Sequence, residues 1–328
     1  MERPASILCW FRIGRMAFAT ASGCIRMATT SESGSNMRRW LITCFLPLAV
    51  FGAINGIAAV AETAELNDSV QRVAGLAGDR SLDARLAALK TLPKPLAAPD
   101  GATLLGLIND RRPYSNLQPR DEAYFVNELL NALRNSGASP LALSTELIAL
   151  YNHSDRSVVV RDYALQHLSA MYGVSSNDDE ILQTLTAALD NREGTLAGTA
   201  LRGLMRIHRT TGAGDREGLC TKALLVAEDE TGGVAARSAA VQACGELACE
   251  KAILLVRSLA MSESTQRVLR MAAIHALGQL GDASDLTFLQ ETSESRGFYV
   301  QASAKGRQQL LKKLNMQSMQ QKGKKGDS

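Results

Sequence analysis

Between residues 62 and 311 the apolar positions recur at i, i+3, i+4 and i+7, the period of a helix with one buried face. They do so in segments that resemble one another. Val268–Asp282 reads VLRMAAIHALGQLGD, and Val234–Leu247 reads VAARSAAVQACGEL. With Arg270 set on Arg237, Ala273 falls on Ala240, Ala276 on Ala243, Gly278 on Gly245 and Leu280 on Leu247. A third copy, Val158–Met171, has Arg161, Ala164, Leu168 and Met171 in register, and a fourth runs from Arg85 to Leu92. Weaker copies are anchored on Ala200 and Leu129, and a degraded last unit lies between Tyr299 and Leu311. The anchors at 88, 129, 164, 200, 240 and 273 are 33 to 41 residues apart. Each anchored helix is followed by a second apolar stretch: Ala102–Ile108, Leu141–Tyr151, Ile181–Leu189, Leu219–Ala227, Ala252–Ala260 and Leu286–Leu289. Two helices per unit predict an all-α chain, an α-solenoid of about six or seven helix pairs. Small residues at the anchors let two helix axes approach closely. Asp155 and Gly232-Gly233, just ahead of anchored helices, are expected to cap and turn the chain.

The shared motif V-x-R-x-x-A-x-x-A-L-G-x-L resembles the HEAT repeat, especially its phycobilin-lyase-type HEAT-like variant. It is clearest at 158–171, 234–247 and 268–282, and the resemblance extends over most of residues 66–311. It implies a right-handed superhelix whose second helices line a concave, protein-binding face. The Trp, Gly-Tyr and Pro landmarks of the tetratricopeptide repeat are missing. Arg85, Arg161, Arg237 and Arg270 share one repeat position, beside the small anchors Ala164, Ala240 and Ala273. They would form either a basic ladder for an acidic ligand or bonds from each Arg to a neighbouring unit's loop or Asp. A residue repeated in unit after unit usually serves the unit, which favours the second role.

Upstream, Trp40–Ala61 is a nearly uncharged run preceded by Met37-Arg38-Arg39 and closed by Ala59-Val60-Ala61. A basic start, an apolar middle and a small-x-small end are the parts of a secretory signal peptide. Residues 37–61 are therefore read as a signal cleaved between Ala61 and Glu62 in a bacterial, periplasmic or secreted protein. The alternative is an uncleaved inner-membrane anchor, for which the run is long enough. Residues 1–36 precede an ordinary signal and carry Met1, Met16 and Met27. They are read as an upstream start artefact or a disordered extension.

Removing residues 1–61 changes the charge picture. The whole chain is +3, whereas residues 62–304 hold 23 Lys and Arg against 30 Asp and Glu, a net −7. From Lys305 onward there are seven basic residues and one acid. An acidic, exported body with 5% aromatics argues against nucleic acid as a partner. The Lys/Gln/Gly-rich tail, residues 312–328, is expected to be disordered.

Chemistry is sparse. His153, His167, His208 and His275 form no H-E-x-x-H and no His-Glu pair. That excludes the repeated His-Glu iron ligands of deoxyhypusine hydroxylase, a HEAT-like enzyme. His167 and His275 read as packing or helix-end residues. Gly212-Ala213-Gly214 follows a helix and lacks a Gly-Lys-Ser/Thr ending, so it reads as a turn. Asp178-Asp179-Glu180 and Glu228-Asp229-Glu230 lack calcium-loop spacing. No nucleophile motif, metal site or cofactor site is recognised.

Three cysteines remain after Ala61. Cys244 replaces a core Leu and is expected to be buried and inert. Cys220 and Cys249 are expected to meet across a repeat boundary as a disulfide, which export permits. The longest irregular connection is Asn109–Asp121, where Pro113 and Pro119 are expected to prevent helix. Its Arg111, Arg112, Tyr114 and Arg120 form a candidate contact loop.

Taken together, residues 62–311 are expected to be a non-catalytic scaffold that binds another protein on the concave face of the solenoid. Membrane contact is expected only if the N-terminal segment is retained, which would make a tethered adaptor. A HEAT-like lyase or enzyme accessory using the groove is the alternative from another class.

Overall fold

The computed structural model of the protein describes residues 65–326. Residues 1–36, the segment 37–61 and the junction Ala61–Glu62 lie outside them. Among the described residues every regular element is a helix. A short first helix, α1 (Asp68–Val73), is followed by alternating first and second helices of a repeat. The first helices are α2 (Leu82–Lys90), α4 (Pro119–Asn135), α6 (Val158–Met171), α8 (Leu196–Thr211), α10 (Val234–Glu246), α12 (Arg267–Leu280) and α14 (Val300–Gly326). The second helices are α3 (Ala98–Asn109), α5 (Pro140–Asn152), α7 (Asp178–Ala187), α9 (Arg216–Glu228), α11 (Ile253–Met261) and α13 (Leu286–Glu294). Six complete pairs result, with α14 as an unpaired first helix at the end.

The pairs stack in chain order. First helices pack on one another from α2 through α14, and the second helix of each pair packs on the first helix of the next, as α5 does on α6 and α11 on α12. The core is therefore one continuous layer between the two helix rows rather than a central cluster. The anchors Leu129, Ala164, Ala200, Ala240 and Ala273 are wholly buried in it. Small residues set the spacing of the first-helix row. A Cβ on Gly278 of α12 would fall 2.4 Å from the Cα of Gly306 in α14, and one on Gly198 of α8 would fall 2.9 Å from the Cα of Ala236 in α10.

Local signals explain the helix starts. Ser81, Ser139 and Ser157 accept the amide hydrogens of Ala84, Ala142 and Val160, and the Asp215 carboxylate accepts those of Glu217 and Gly218. Ser157, not Asp155, thus caps α6, while α10 does begin directly after Gly233. Gly212 ends α8 in the left-handed conformation at φ +73°.

Two expectations are corrected. Pro119 does not prevent helix: it is the first residue of α4, where a missing N–H leaves no bond unmade. Pro113 sits in a single 3₁₀ turn, Arg112–Tyr114. Residues 312–326, expected to be disordered, continue α14. Lys, Gln, Leu and Met favour helix, and no Gly or Pro intervenes between Arg307 and Lys322. Lys313 adds a tertiary tie, donating to the carbonyls of Leu280 at 2.9 Å and Gly281 at 3.0 Å at the end of α12.

Candidate functional site

The last carbonyls of an α-helix have no partner within the helix and carry the negative end of its dipole. The repeated arginines answer that need. Arg161, Arg237 and Arg270 each donate Nε to the carbonyl ten residues upstream, on Tyr151, Ala227 and Ala260, at 2.9, 3.0 and 2.9 Å. Those carbonyls belong to the next-to-last residues of α5, α9 and α11. Each arginine of a first helix therefore clamps the end of the second helix before it. Arg85 does the same for α1, donating Nη1 to the carbonyl of Val73 at 2.8 Å. Arg161 also reaches forward, bonding Glu193 ahead of α8 at 2.5 Å. The four are bonded into the scaffold and do not form a ladder for a ligand. The bonds run chiefly to backbone carbonyls of helix ends, while Arg85 also reaches the Pro113 carbonyl and Arg161 reaches Glu193, each in a neighbouring unit's loop as expected.

At the same register position α4 carries Val126, which has nothing to donate. Arg156, in the turn before α6, fills the gap from outside the register. Its Nη2 donates to the carbonyl of Ile108, the next-to-last residue of α3, at 2.6 Å, and to the hydroxyl of Tyr114 at 3.0 Å. Its Nη1 pairs with Glu122 at 2.5 Å, and its side chain is 1% exposed. Sequence reasoning passed over Arg156. The signal for it was the missing arginine at 126, since an end of α3 left bare needs another donor.

This places the candidate contact loop. Tyr114 is fully buried, stacks at a tilt on Phe125 with centroids 5.2 Å apart, and donates its hydroxyl to the carbonyl of Leu107 at 2.8 Å. It cannot touch a partner. Arg111 pairs with Glu122 at 2.9 Å. Arg112 is exposed and grips Asp110, whose carboxyl the Arg112 guanidinium and backbone N–H hold down to about 2. Arg120 is exposed on the first turn of α4. The loop is a structural knot with a charged rim, on which Arg111, Arg112 and Arg120 are exposed while Tyr114 is buried.

Cys220 of α9 and Cys249, ahead of α11, are joined as a disulfide with Cα atoms 5.5 Å apart. It ties one unit to the next beside an open cavity of about 570 Å³ rimmed by Asp215, Glu217, Glu250 and Lys251. Cys244 stays a thiol, buried in α10, and burial pushes it up to about 12. His167 of α6 is buried as well. Its Nε2 lies 3.3 Å from Asn127 Oδ1, its Nδ1 has no partner, and burial with the nearby charge of Arg134 lowers it to about 4. The ring is neutral at pH 7. His208 is tied to the carbonyls of Ala213 and Gly214, closing the turn after α8. Among the described residues no group of three or more His, Cys, Asp or Glu converges to hold a metal. Nor is any helix among them long and apolar enough to cross a membrane.

The family model described as HEAT repeats matches residues 222–306. No curated protein and no solved structure matches the chain. The matched residues hold the pairs α10–α11 and α12–α13, and the same pairing continues on the N-terminal side, with the arginine clamp recurring at α1 and α5. Residues 222–306 thus carry HEAT repeats, within a helical repeat that runs through the described residues.

Proposed function

We propose that this protein is a non-catalytic scaffold of the bacterial periplasm or envelope that binds another protein along the face of its second helices. HEAT repeats are helical repeat scaffolds that commonly mediate protein interaction. The observation that carries the reading here is where the reactive side chains went. The clamping arginines, Arg156, Cys220, Cys249 and His167 are all spent on helix ends, unit junctions or packing. Meanwhile the second helices leave large aliphatic groups in solvent: Leu141 of α5, Leu225 of α9 and Leu254 of α11, the last 75% exposed. Aliphatic groups presented on successive rigid helices suit a protein partner.

The signal-like pattern of residues 37–61 supports export, and the Cys220–Cys249 bridge supports an oxidising compartment. Cleavage between Ala61 and Glu62 releases a soluble scaffold; retention of the segment would tether it. A photo-crosslinking amino acid at Leu225 or Leu254, introduced in the native host, tests the reading. A discrete adduct to one other protein is expected, lost on Leu254→Asp. Absence of an adduct from both positions refutes it.

A further inference from the structure

The two helix rows carry opposite charge. Up to residue 320 the first helices hold fifteen Lys and Arg against six Asp and Glu. The second helices, with their 3₁₀ turns, hold five against twelve. The near-neutral balance of the chain after residue 61 therefore hides two faces. On the first-helix row the excess gathers along one face of α8, where Arg202, Arg206 and Arg209 follow at i, i+4 and i+7, with Arg134 at the end of α4 close to Arg206. Arg134, Arg202 and Arg209 are exposed there, with the half-buried Arg206 among them. Burial, and then the charges of Arg134 and Arg209, lower the Arg206 guanidinium. Among the described residues Arg134, Arg202 and Arg206 have no carboxylate within ion-pair distance, and Arg209 has only Glu246, at 3.8 Å. Arg202 and Arg206 bond neutral oxygens of Thr199 and Ser169.

The same row is apolar toward the N-termini of α4 and α6. Tyr124 of α4 and Val159 of α6 are 50% and 51% exposed. With Tyr163 they line an open groove of about 630 Å³ between α4 and α6. Tyr124 and Arg134 lie about 15 Å apart along α4 and about 80° apart around it. Asp121 lines the groove beside Arg120, and Glu128 and Asp162 act on Tyr163; Asp162 is engaged by Thr195 and Thr199, both at 2.6 Å.

From this arrangement we infer that the first-helix face, over α4, α6 and α8, binds an acidic segment of a partner protein. Apolar side chains of that segment seat in the Tyr124–Val159–Tyr163 groove, and its carboxylates meet Arg134, Arg202, Arg206 and Arg209. Un-neutralised guanidiniums call for carboxylates, and the adjoining groove calls for aliphatic or aromatic groups between them. A phosphate backbone or a bilayer would use the charge but leave the groove unexplained. The inference goes beyond the reading above: it concerns the opposite row of helices, and it stands or falls apart from crosslinks at Leu225 and Leu254.

The test is fluorescence anisotropy with the full-length protein and a labelled peptide in which Glu alternates with Leu and Phe. An oligonucleotide and phosphatidylglycerol vesicles serve as competing probes. The peptide is expected to bind at low ionic strength and to weaken as salt rises. Combined Arg134→Glu, Arg202→Glu and Arg209→Glu should weaken it by about tenfold or more. Tyr124→Ser with Val159→Ser should weaken it too, whereas Lys222→Glu on the second-helix row should leave it unchanged. Unaltered thermal unfolding of each variant shows that the fold is kept. Failure of the peptide to bind, or indifference of its binding to the triple reversal, overturns the inference. So does tighter binding of the oligonucleotide or the vesicles. Salt-sensitive self-association of the protein without peptide, seen by sedimentation, would also overturn it, by assigning the face to the acidic row of a second copy.

Discussion

Replacing Arg156 with methionine keeps much of the side chain's length and apolar stem and removes its charge. Three groups lose a partner: the Ile108 carbonyl at 2.6 Å, the Tyr114 hydroxyl at 3.0 Å and the Glu122 carboxylate at 2.5 Å. Tyr114 keeps its bond to Leu107, and Glu122 keeps Arg111, whose side chain is 44% exposed. The loss is therefore a bare helix-end carbonyl and a half-compensated buried carboxylate. An unsatisfied buried carbonyl costs about 1–3 kcal/mol. Breaking a buried ion pair by removing one partner costs about 3–5 kcal/mol. The two overlap, so about 3–5 kcal/mol is expected in all. Arg237→Met removes one bond, Nε to Ala227 at 3.0 Å, and should cost about 1 kcal/mol. Urea unfolding of the two variants gives the magnitudes, and amide hydrogen exchange gives the place. In a stack of repeats the damage stays near its origin, so exchange should quicken in α3 to α6 and hold in α12 to α14. Glu122→Gln in the Arg156→Met background should restore part of the loss, since it removes the stranded charge. A loss under about 1 kcal/mol for Arg156→Met, with exchange unchanged at the end of α3, would refute the argument that Arg156 replaces the missing repeat arginine.

Ala240→Leu or Ala273→Leu, at wholly buried contacts of α10 and α12, should overpack the first-helix row and cost about 1–3 kcal/mol by urea unfolding. Unchanged melting of both would contradict the repeat register. His167 is held near 4 when folded, against about 6.5 in an unfolded chain. Its contribution is therefore complete above about pH 6.5 and is lost as pH falls toward 4, of the order of 3 kcal/mol. Stability curves at pH 7 and 4.5 should converge between the wild type and His167→Gln relative to their separation at pH 7. A constant separation would place the histidine in contact with water. Reducing Cys220–Cys249, separated by 29 residues, should lower stability by about 3–4 kcal/mol on the chain-entropy estimate. In a chain beginning at Glu62, denaturing thiol titration should find one thiol before reduction and three after; three at the start would rule out the bridge.

The repeat was legible because it is enforced in most units. Close-packed first helices need Ala or Gly at their contacts, and each bare helix end needs a donor, so Ala164, Ala240 and Ala273 and Arg161, Arg237 and Arg270 recur in register. Features arising from exceptions were harder to read. Arg156 works from a turn, out of register, for a unit that lacks its arginine. Tyr114 looks like an exposed loop aromatic until Phe125 and the α3 carbonyls are seen around it. Pro119 reads as a breaker without knowledge of whether it falls inside a helix or at its first residue. The opposite charges of the two rows disappear in a total, because they cancel along the chain and separate only when residues are assigned to layers.

The proposal of an exported scaffold is tested most directly by fractionating the native host and measuring the intact mass of the protein, with alkylation before reduction. It predicts a soluble periplasmic species whose first residue is Glu62 and whose Cys220 and Cys249 resist alkylation until reduced. A cytoplasmic species that retains residues 37–61, with Cys220 and Cys249 alkylated at once, would contradict it.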